Sequence, residues 1–198
     1  MILIGIPNMG NVPIEVMASV VRVAKEYKDD VSFIAPSNSL VYDARDMIML
    51  EALKMDADLV FIDSDIEFSL EAFERLLSHK KPIVSGLYYG RNIPSKPIAY
   101  KKVRPKTLFR KSPVAEHITE IEPFMEVEGA GLGFCLIRKE VLRAVYREGY
   151  NAFQPFKGLG EDFSFFYRCR KKGYKIYLDT TLELKHIGRY KYGVTYNG

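Results

Sequence analysis

Hydrophobic residues in the first half of the chain fall into two patterns, short apolar runs and longer stretches with apolar residues three or four apart. Ile2 to Ile6 reads as a first strand. Pro13 to Tyr27 then carries Ile14, Met17, Val21 and Ala24 at helical spacing, which predicts one buried helix face. Val31 to Ala35 is a second strand and Ser37-Asn38-Ser39 a polar loop. Tyr42 to Met55 follows as a helix with Ile48, Ala52 and Met55 on one side, and Leu59 to Ile62 is a buried strand. Ser69 suits an N-cap, with Glu71 in a first turn that favours negative charge, so a helix should run to about His79. Pro82 ends it and Ile83-Val84-Ser85 opens the next strand. Strands alternating with helical patterns are the signature of βαβ units and a mostly parallel sheet.

From Gly86 to about Met125 the periodicity fades into a basic, proline-punctuated stretch with β-like pieces at Ile98 to Val103 and His117 to Ile121. Irregular hairpins are expected there, either carrying substrate contacts, as such insertions in α/β enzymes often do, or serving as a merely structural excursion. Leu132 to Ile137 reads as a strand, Arg138 to Arg147 as a helix and Asn151 to Gly160 as a loop. Glu161 to Lys172 is amphipathic and stops at Gly173, a suitable C′ residue, before strands at Lys175 to Leu178 and near Leu182 to His186.

Length and composition narrow the class. At 198 residues, 47% hydrophobic and 27% charged, the chain is expected to form one globular domain over residues 1–198, without disorder or a fibrous repeat. No apolar run reaches the ~18 residues that a membrane-spanning helix needs. The start Met-Ile-Leu-Ile lacks a basic region, so it reads as a strand rather than a signal peptide, and a cytoplasmic location is expected. Cys135 and Cys169 have no metal-ligand spacing and read as buried, reduced thiols. A net charge of +4 permits an anionic ligand without requiring one, and nucleic acid is not expected as a partner.

The candidate chemistry begins at Asp63-Ser64-Asp65, immediately after the apolar strand Leu59 to Ile62. Ligands of open α/β sheets bind at the C-terminal strand edge, and hard divalent cations that bridge phosphates are held there by one or two carboxylates. A turn or helix cap would use the same residues. Three further segments accompany it: Ala44-Arg45-Asp46, the glycine-rich Glu128-Gly129-Ala130-Gly131-Leu132-Gly133-Phe134, and Gly160-Glu161-Asp162, with a late His186-Ile187-Gly188. Gly129, Gly131 and Gly133 lead into a strand with a spacing unlike the dinucleotide-binding loop, which disfavours that fold.

In this order the segments resemble the GT-A-fold glycosyltransferases, especially the family-2-like nucleotide-sugar transferases, over nearly the whole chain. The resemblance implies a three-layer α/β/α sandwich with residues 1–85 as the nucleotide-binding half and 86–198 as the acceptor and catalytic half. It implies a UDP- or GDP-sugar donor, a Mn²⁺ or Mg²⁺ ion, an acceptor hydroxyl, and transfer of the hexosyltransferase class with inversion. Carried over by position, Asp65 is the direct metal ligand, Asp63 the looser partner on ribose or metal-bound water, and His186 a second protein ligand. Arg45 and Pro7 lie near the nucleotide, and Asp162 is the base, with Glu161 as the other candidate. Arg189 and Lys191 would close over the phosphates, while Tyr88, Tyr89, Tyr190, Tyr192 and Tyr196 could stack on a sugar or base or serve amphipathic packing. The residues taken alone leave other readings open. Arg45 could form a surface ion pair, Glu161-Asp162 could serve a helix dipole, and the glycines could answer to close packing. A non-catalytic nucleotide-sugar-binding protein or a nucleotidyltransferase would also fit the acidic motif, and a homo-oligomer that completes the acceptor side is left open.

Overall fold

The computed structural model describes residues 1–37, 40–91, 94–147 and 151–188. Its elements, in chain order, are β1 (Ile2–Gly5), α1 (Ile14–Tyr27), β2 (Val31–Ile34), α2 (Val41–Lys54), β3 (Asp58–Ile62), β4 (Ile66–Phe68), α3 (Leu70–Ser78) and β5 (Ile83–Gly86). They continue with β6 (Ala99–Arg104), β7 (Val114–His117), β8 (Phe124–Val127), β9 (Gly129–Ala130), β10 (Phe134–Ile137), α4 (Lys139–Val145), α5 (Glu161–Lys171), β11 (Ile176–Asp179) and β12 (Leu184–His186). Seven strands form the central sheet in the order β2-β1-β3-β10-β5-β11-β8. β10 is antiparallel to both β3 and β5, and β8 is antiparallel to β11; the other five strands share one direction.

Alternation along the strands creates three layers. Leu3, Leu59, Phe61, Cys135 and Ile137 face a core shared with α2, α4 and α5. Their neighbours Ile4, Val60, Ile62, Phe134 and Leu136 face a second core shared with α1 and α3. A sheet buried on both faces needs strands without polar gaps, which is why the runs in β3 and β10 are continuously apolar. The expected α/β/α sandwich with a mostly parallel sheet is therefore what forms.

Local signals hold at several ends. Ser69 accepts a hydrogen bond from the Ala72 N–H at 3.1 Å and caps α3. Gly173 takes φ +86° just past α5, the left-handed conformation suited to a C′ glycine.

Two expectations need correction. The face of α1 predicted to be buried is the outer one: Ile14, Met17 and Val21 are exposed, whereas Val16, Ser19, Val20 and Val23 are buried. The helix carries two apolar stripes, and Ser19 decides between them by bonding β4, donating to the Phe68 carbonyl at 2.7 Å and accepting from its N–H at 3.3 Å. In the basic stretch, the second hairpin strand lies at Val114–His117 rather than His117 to Ile121, because Arg104 of β6 pairs with Val114. No helix among the described residues is long and apolar enough to cross a membrane.

Candidate functional site

β1 and β3 are parallel neighbours, so the segments leaving their C-terminal ends meet. One begins at Pro7 and the other is Asp63-Ser64-Asp65. The latter is a tight turn: the Asp63 N–H donates to the Gly133 carbonyl at 2.8 Å, and the Ile66 N–H donates to the Asp63 carbonyl at 3.1 Å. Leaving this turn, β4 pairs antiparallel with β12, with Ile66 opposite His186. The Ile187 N–H also donates to the Asp65 carbonyl at 2.8 Å. Strand register thus brings the His186 Nε2 within 3.4 Å of the Asp65 carboxylate, across a long sequence separation.

The other ring nitrogen of His186, Nδ1, lies 2.8 Å from the Tyr89 carbonyl. A carbonyl can only accept, so Nδ1 carries the hydrogen and Nε2 is directed to Asp65. The hydrogen bond to Asp65 raises the His186 pKa against the effect of burial. For Asp65, burial acts to raise the pKa, but His186 and Arg91, the latter 3.2 Å away, outweigh it and hold the carboxyl below its usual range.

Arg45 stands on the inner face of α2 with only 2% of its surface exposed, so the surface-ion-pair reading does not hold. Its Nη2 donates to the Asp63 Oδ1 at 2.9 Å and lies 3.7 Å from the Asp162 Oδ1. The guanidinium sits 5.0 Å over the Phe61 ring. Burial disfavours its charge, yet Asp63 and Asp162 more than offset that, so it stays protonated. Its buried Nε and Nη1 have no hydrogen-bond partner among the described residues. Two unsatisfied donors on a buried cation are costly unless a further acceptor reaches them.

Asp162, in the first turn of α5, turns away from its own helix terminus. Its Oδ2 accepts from the Leu132 N–H at 3.2 Å, while Oδ1 is shut from solvent with no hydrogen bond among the described residues. Burial raises its pKa well above the ordinary carboxylate range; Arg45 opposes the shift, and Glu161 and Asp63 add to it.

Tyr88 explains Gly131 and Gly133. Its hydroxyl accepts from the Gly133 N–H at 3.1 Å, and a Cβ on Gly131 would fall 1.9 Å from that oxygen. A Cβ on Gly133 would lie 2.8 Å from the Asp63 Oδ2. The room these glycines leave is filled by the protein's own tyrosine and carboxylate, so close packing is what they serve. Tyr88 is buried at 6% exposure and is not free to stack on a ligand, whereas Tyr89 is exposed at 45%.

A cavity of about 220 Å³ collects the site, lined among others by Pro7, Arg45, Asp63, Asp65, Glu161 and Asp162. His186 stands beside it through Asp65. Among the described residues no three His, Cys, Asp or Glu side chains gather into a complete metal cage. One carboxylate and one imidazole nitrogen do converge, a partial donor set of the kind that suits a cation sharing its other positions with phosphate and water. Arg189, Lys191, Tyr190, Tyr192 and Tyr196 lie outside the described residues. Sequence reasoning missed Arg91 and the supporting roles of Tyr88 and Tyr89. All three follow β5, and the rule that directs attention to the end of β3 applies equally to the end of β5.

No protein-family model matches the chain, and no curated protein matches its sequence. Solved structures do. A197 from STIV is 25% identical, with 95% of this chain and 86% of that one covered and a TM-score of 0.67. GalNAc-T7, solved with UDP, GalNAc and Mn²⁺, is 13% identical over 96% of this chain, with a TM-score of 0.62. This chain spans 44% of that protein's length. The catalytic domain of Drosophila β1,4-galactosyltransferase 7, in complex with xylobiose, is 16% identical, with 95% and 71% covered and a TM-score of 0.57. The fold is GT-A-like, as the order of motifs implied.

Proposed function

We propose that this chain is a metal-dependent glycosyltransferase that moves a sugar from a UDP- or GDP-sugar to an acceptor hydroxyl with inversion. One observation carries the reading: Arg45, Asp63, Asp65 and Asp162, from three separated segments, share the wall of a single cavity at the C-terminal end of the parallel strands. GT-A-fold neighbours, one solved with UDP, GalNAc and Mn²⁺ and one with xylobiose, support it.

Asp65 and the His186 Nε2 would hold Mn²⁺ or Mg²⁺, with Asp63 as the looser member. Bound there, such an ion would supply Lewis-acid stabilisation of the departing diphosphate. The unsatisfied Nε and Nη1 of Arg45 suit the donor's anionic oxygens, and the first turns of α2, with Val41 and Ala44 on the same cavity wall, add a helix N-terminus that favours them. Pro7 forms the wall on the nucleobase side. Asp162 takes the proton of the acceptor hydroxyl, and its raised pKa brings its basicity toward the operating pH. Glu161, on the same turn, is the second candidate for that step. Residues 1–85 serve mainly the nucleotide and 86–198 mainly the acceptor and catalysis within one domain. The free thiols of Cys135 and Cys169 agree with a cytoplasmic setting, and a second copy could complete the acceptor side.

The assignment is tested by titrating Mn²⁺ and a panel of nucleotide sugars, followed by thermal shift, since any ligand of the native state raises its stability. Asp65→Ala and His186→Ala are each expected to weaken metal-dependent donor binding while the fold persists. Unchanged Mn²⁺ titrations in both would remove these residues from the site. Binding of a donor without release of nucleoside diphosphate under any acceptor would make the protein a non-catalytic binder.

A further inference from the structure

The hairpin of β6 and β7 projects a tip that the candidate site does not use. Leu108 is 88% exposed and Phe109 96%, side by side at the apex. The turn that presents them is closed by the Thr107 N–H donating to the Arg110 carbonyl at 2.9 Å and the Arg110 N–H donating to the Thr107 hydroxyl at 3.0 Å. Set back from the apex are Lys106 and Lys111, with Lys101 and Lys102 further down β6, while the Arg110 guanidinium folds back to donate to the Pro105 carbonyl at 2.6 Å. Lys157 joins them from the loop before α5, because the Lys106 N–H donates to the Lys157 carbonyl at 2.9 Å. No acidic residue occurs from Lys96 to Ala115. Glu116, the first one after it, is engaged by Lys102 at 3.2 Å.

An aliphatic and an aromatic side chain held in water on a convex apex, ringed by cations, is an unusual arrangement for a surface turn. Its shape selects the partner. Small molecules and peptide side chains are taken up by concave pockets, and the apex has no walls to enclose one. A lipid bilayer accepts an apolar projection from above, while lysine and arginine stems reach back to the phosphate level and are attracted by anionic headgroups. We propose that the β6–β7 tip docks this protein on an anionic lipid surface, with Leu108 and Phe109 entering the interface and Lys106, Lys111 and Lys157 facing the headgroups.

The base of the same hairpin touches the candidate site. Tyr100 of β6 packs edge-on against Phe163 at 4.5 Å, next to Asp162. Docking through the tip therefore suits an acceptor carried on the lipid itself. That corollary rests on the proposed transfer reaction, whereas the docking does not.

The chain contains no tryptophan, so Phe109→Trp reports the tip alone. Its emission should shift to the blue on addition of phosphatidylcholine vesicles containing phosphatidylglycerol, and much less with phosphatidylcholine only. The unsubstituted protein should co-sediment with the anionic vesicles, less so as salt is raised. The double variant Leu108→Ser, Phe109→Ser should lose roughly tenfold or more of this binding at unchanged thermal stability. Lys106→Gln with Lys111→Gln should weaken binding to anionic vesicles only. Failure of the unsubstituted protein to co-sediment, an unshifted emission spectrum in the Phe109→Trp variant, or full binding by the double serine variant would each overturn the proposal. Retention on heparin or RNA with no vesicle binding would overturn it in favour of a polyanion partner.

Discussion

At the scale of single residues the site turns on how one buried cation is shared. Arg45 reaches Asp63 and approaches Asp162, so the two carboxylates are linked through it. Burial makes Asp162 hold its proton to higher pH than a free carboxylate. As base it must be ionised, so transfer should rise with pH through a range above the ordinary ~4 of aspartate. Folding favours the protonated form of such a group, so its stability contribution falls as pH rises from the unfolded pKa to the folded one. Asp162→Asn should therefore fold with equal or greater stability at neutral pH, bind donor normally and lose transfer at every pH. Steady-state rates with donor-binding isotherms check this, and ordinary turnover would remove Asp162 from the chemistry. Gly131 poses a separate test, of packing. Gly131→Ala forces Tyr88 from its place and should cost about 1–3 kcal/mol in denaturant unfolding, the usual range for overpacking. A variant as stable as the parent would mean that the tyrosine shifts freely.

At the scale of elements, the hairpin that carries the exposed tip is clamped by Glu128 where β6 runs into the tip. This carboxylate accepts from the Val103 N–H at 2.8 Å and from Arg104 and Arg170. Partial burial acts to raise its pKa, but these donors prevail and lower it to about 2. A depressed pKa gives stability that is present above the unfolded value and is lost as pH falls toward the folded one. Glu128→Gln should lower Tm at neutral pH, and the gap to the parent should close between about pH 4.5 and 2. A gap independent of pH would show that charge is not what the clamp uses. The hairpin also marks where the sequence is hard to read. Its alternation is weak, and pattern alone puts the second strand three residues late because register is set by pairing with β6, which composition does not reveal. Elements with local signals are legible: Ser69 marks the start of α3 through its side-chain hydroxyl and Gly173 the end of α5 through its backbone conformation. β4 escapes a reading of the sequence because three residues of strand gain their identity from β12, far along the chain. For α1 the period is right and the face wrong, since a buried serine bonded to a distant backbone carries the decision.

At the scale of the whole molecule, the cavity residues are legible as a set because the end of β3 is a place the fold class itself singles out. What joins them is not: the burial of Arg45, the Tyr88 hydroxyl under the glycines and the ring orientation of His186 all depend on side chains packed from separate segments. Both cores run through the sheet, and β10 lies between β3 and β5 with hydrogen bonds to each. Residues 1–86, expressed alone, end with β5 but lack the strand that joins it to β3. This fragment should show no cooperative thermal transition by circular dichroism, and a sharp one would mean that β3 and β5 find another pairing.

The wedge position of β10 also bears on how the protein is made. While the chain leaves the ribosome, β3 is complete long before Phe134–Ile137 emerge, and until then its outer edge is an open row of backbone donors and acceptors beside an all-apolar strand. The sheet can close only late, through contacts between residues far apart in sequence, which makes folding slow for a chain of this size. Newly made protein is thus expected to spend its early life as a client of chaperones, with Leu59 to Ile62 as the segment they most need to shield.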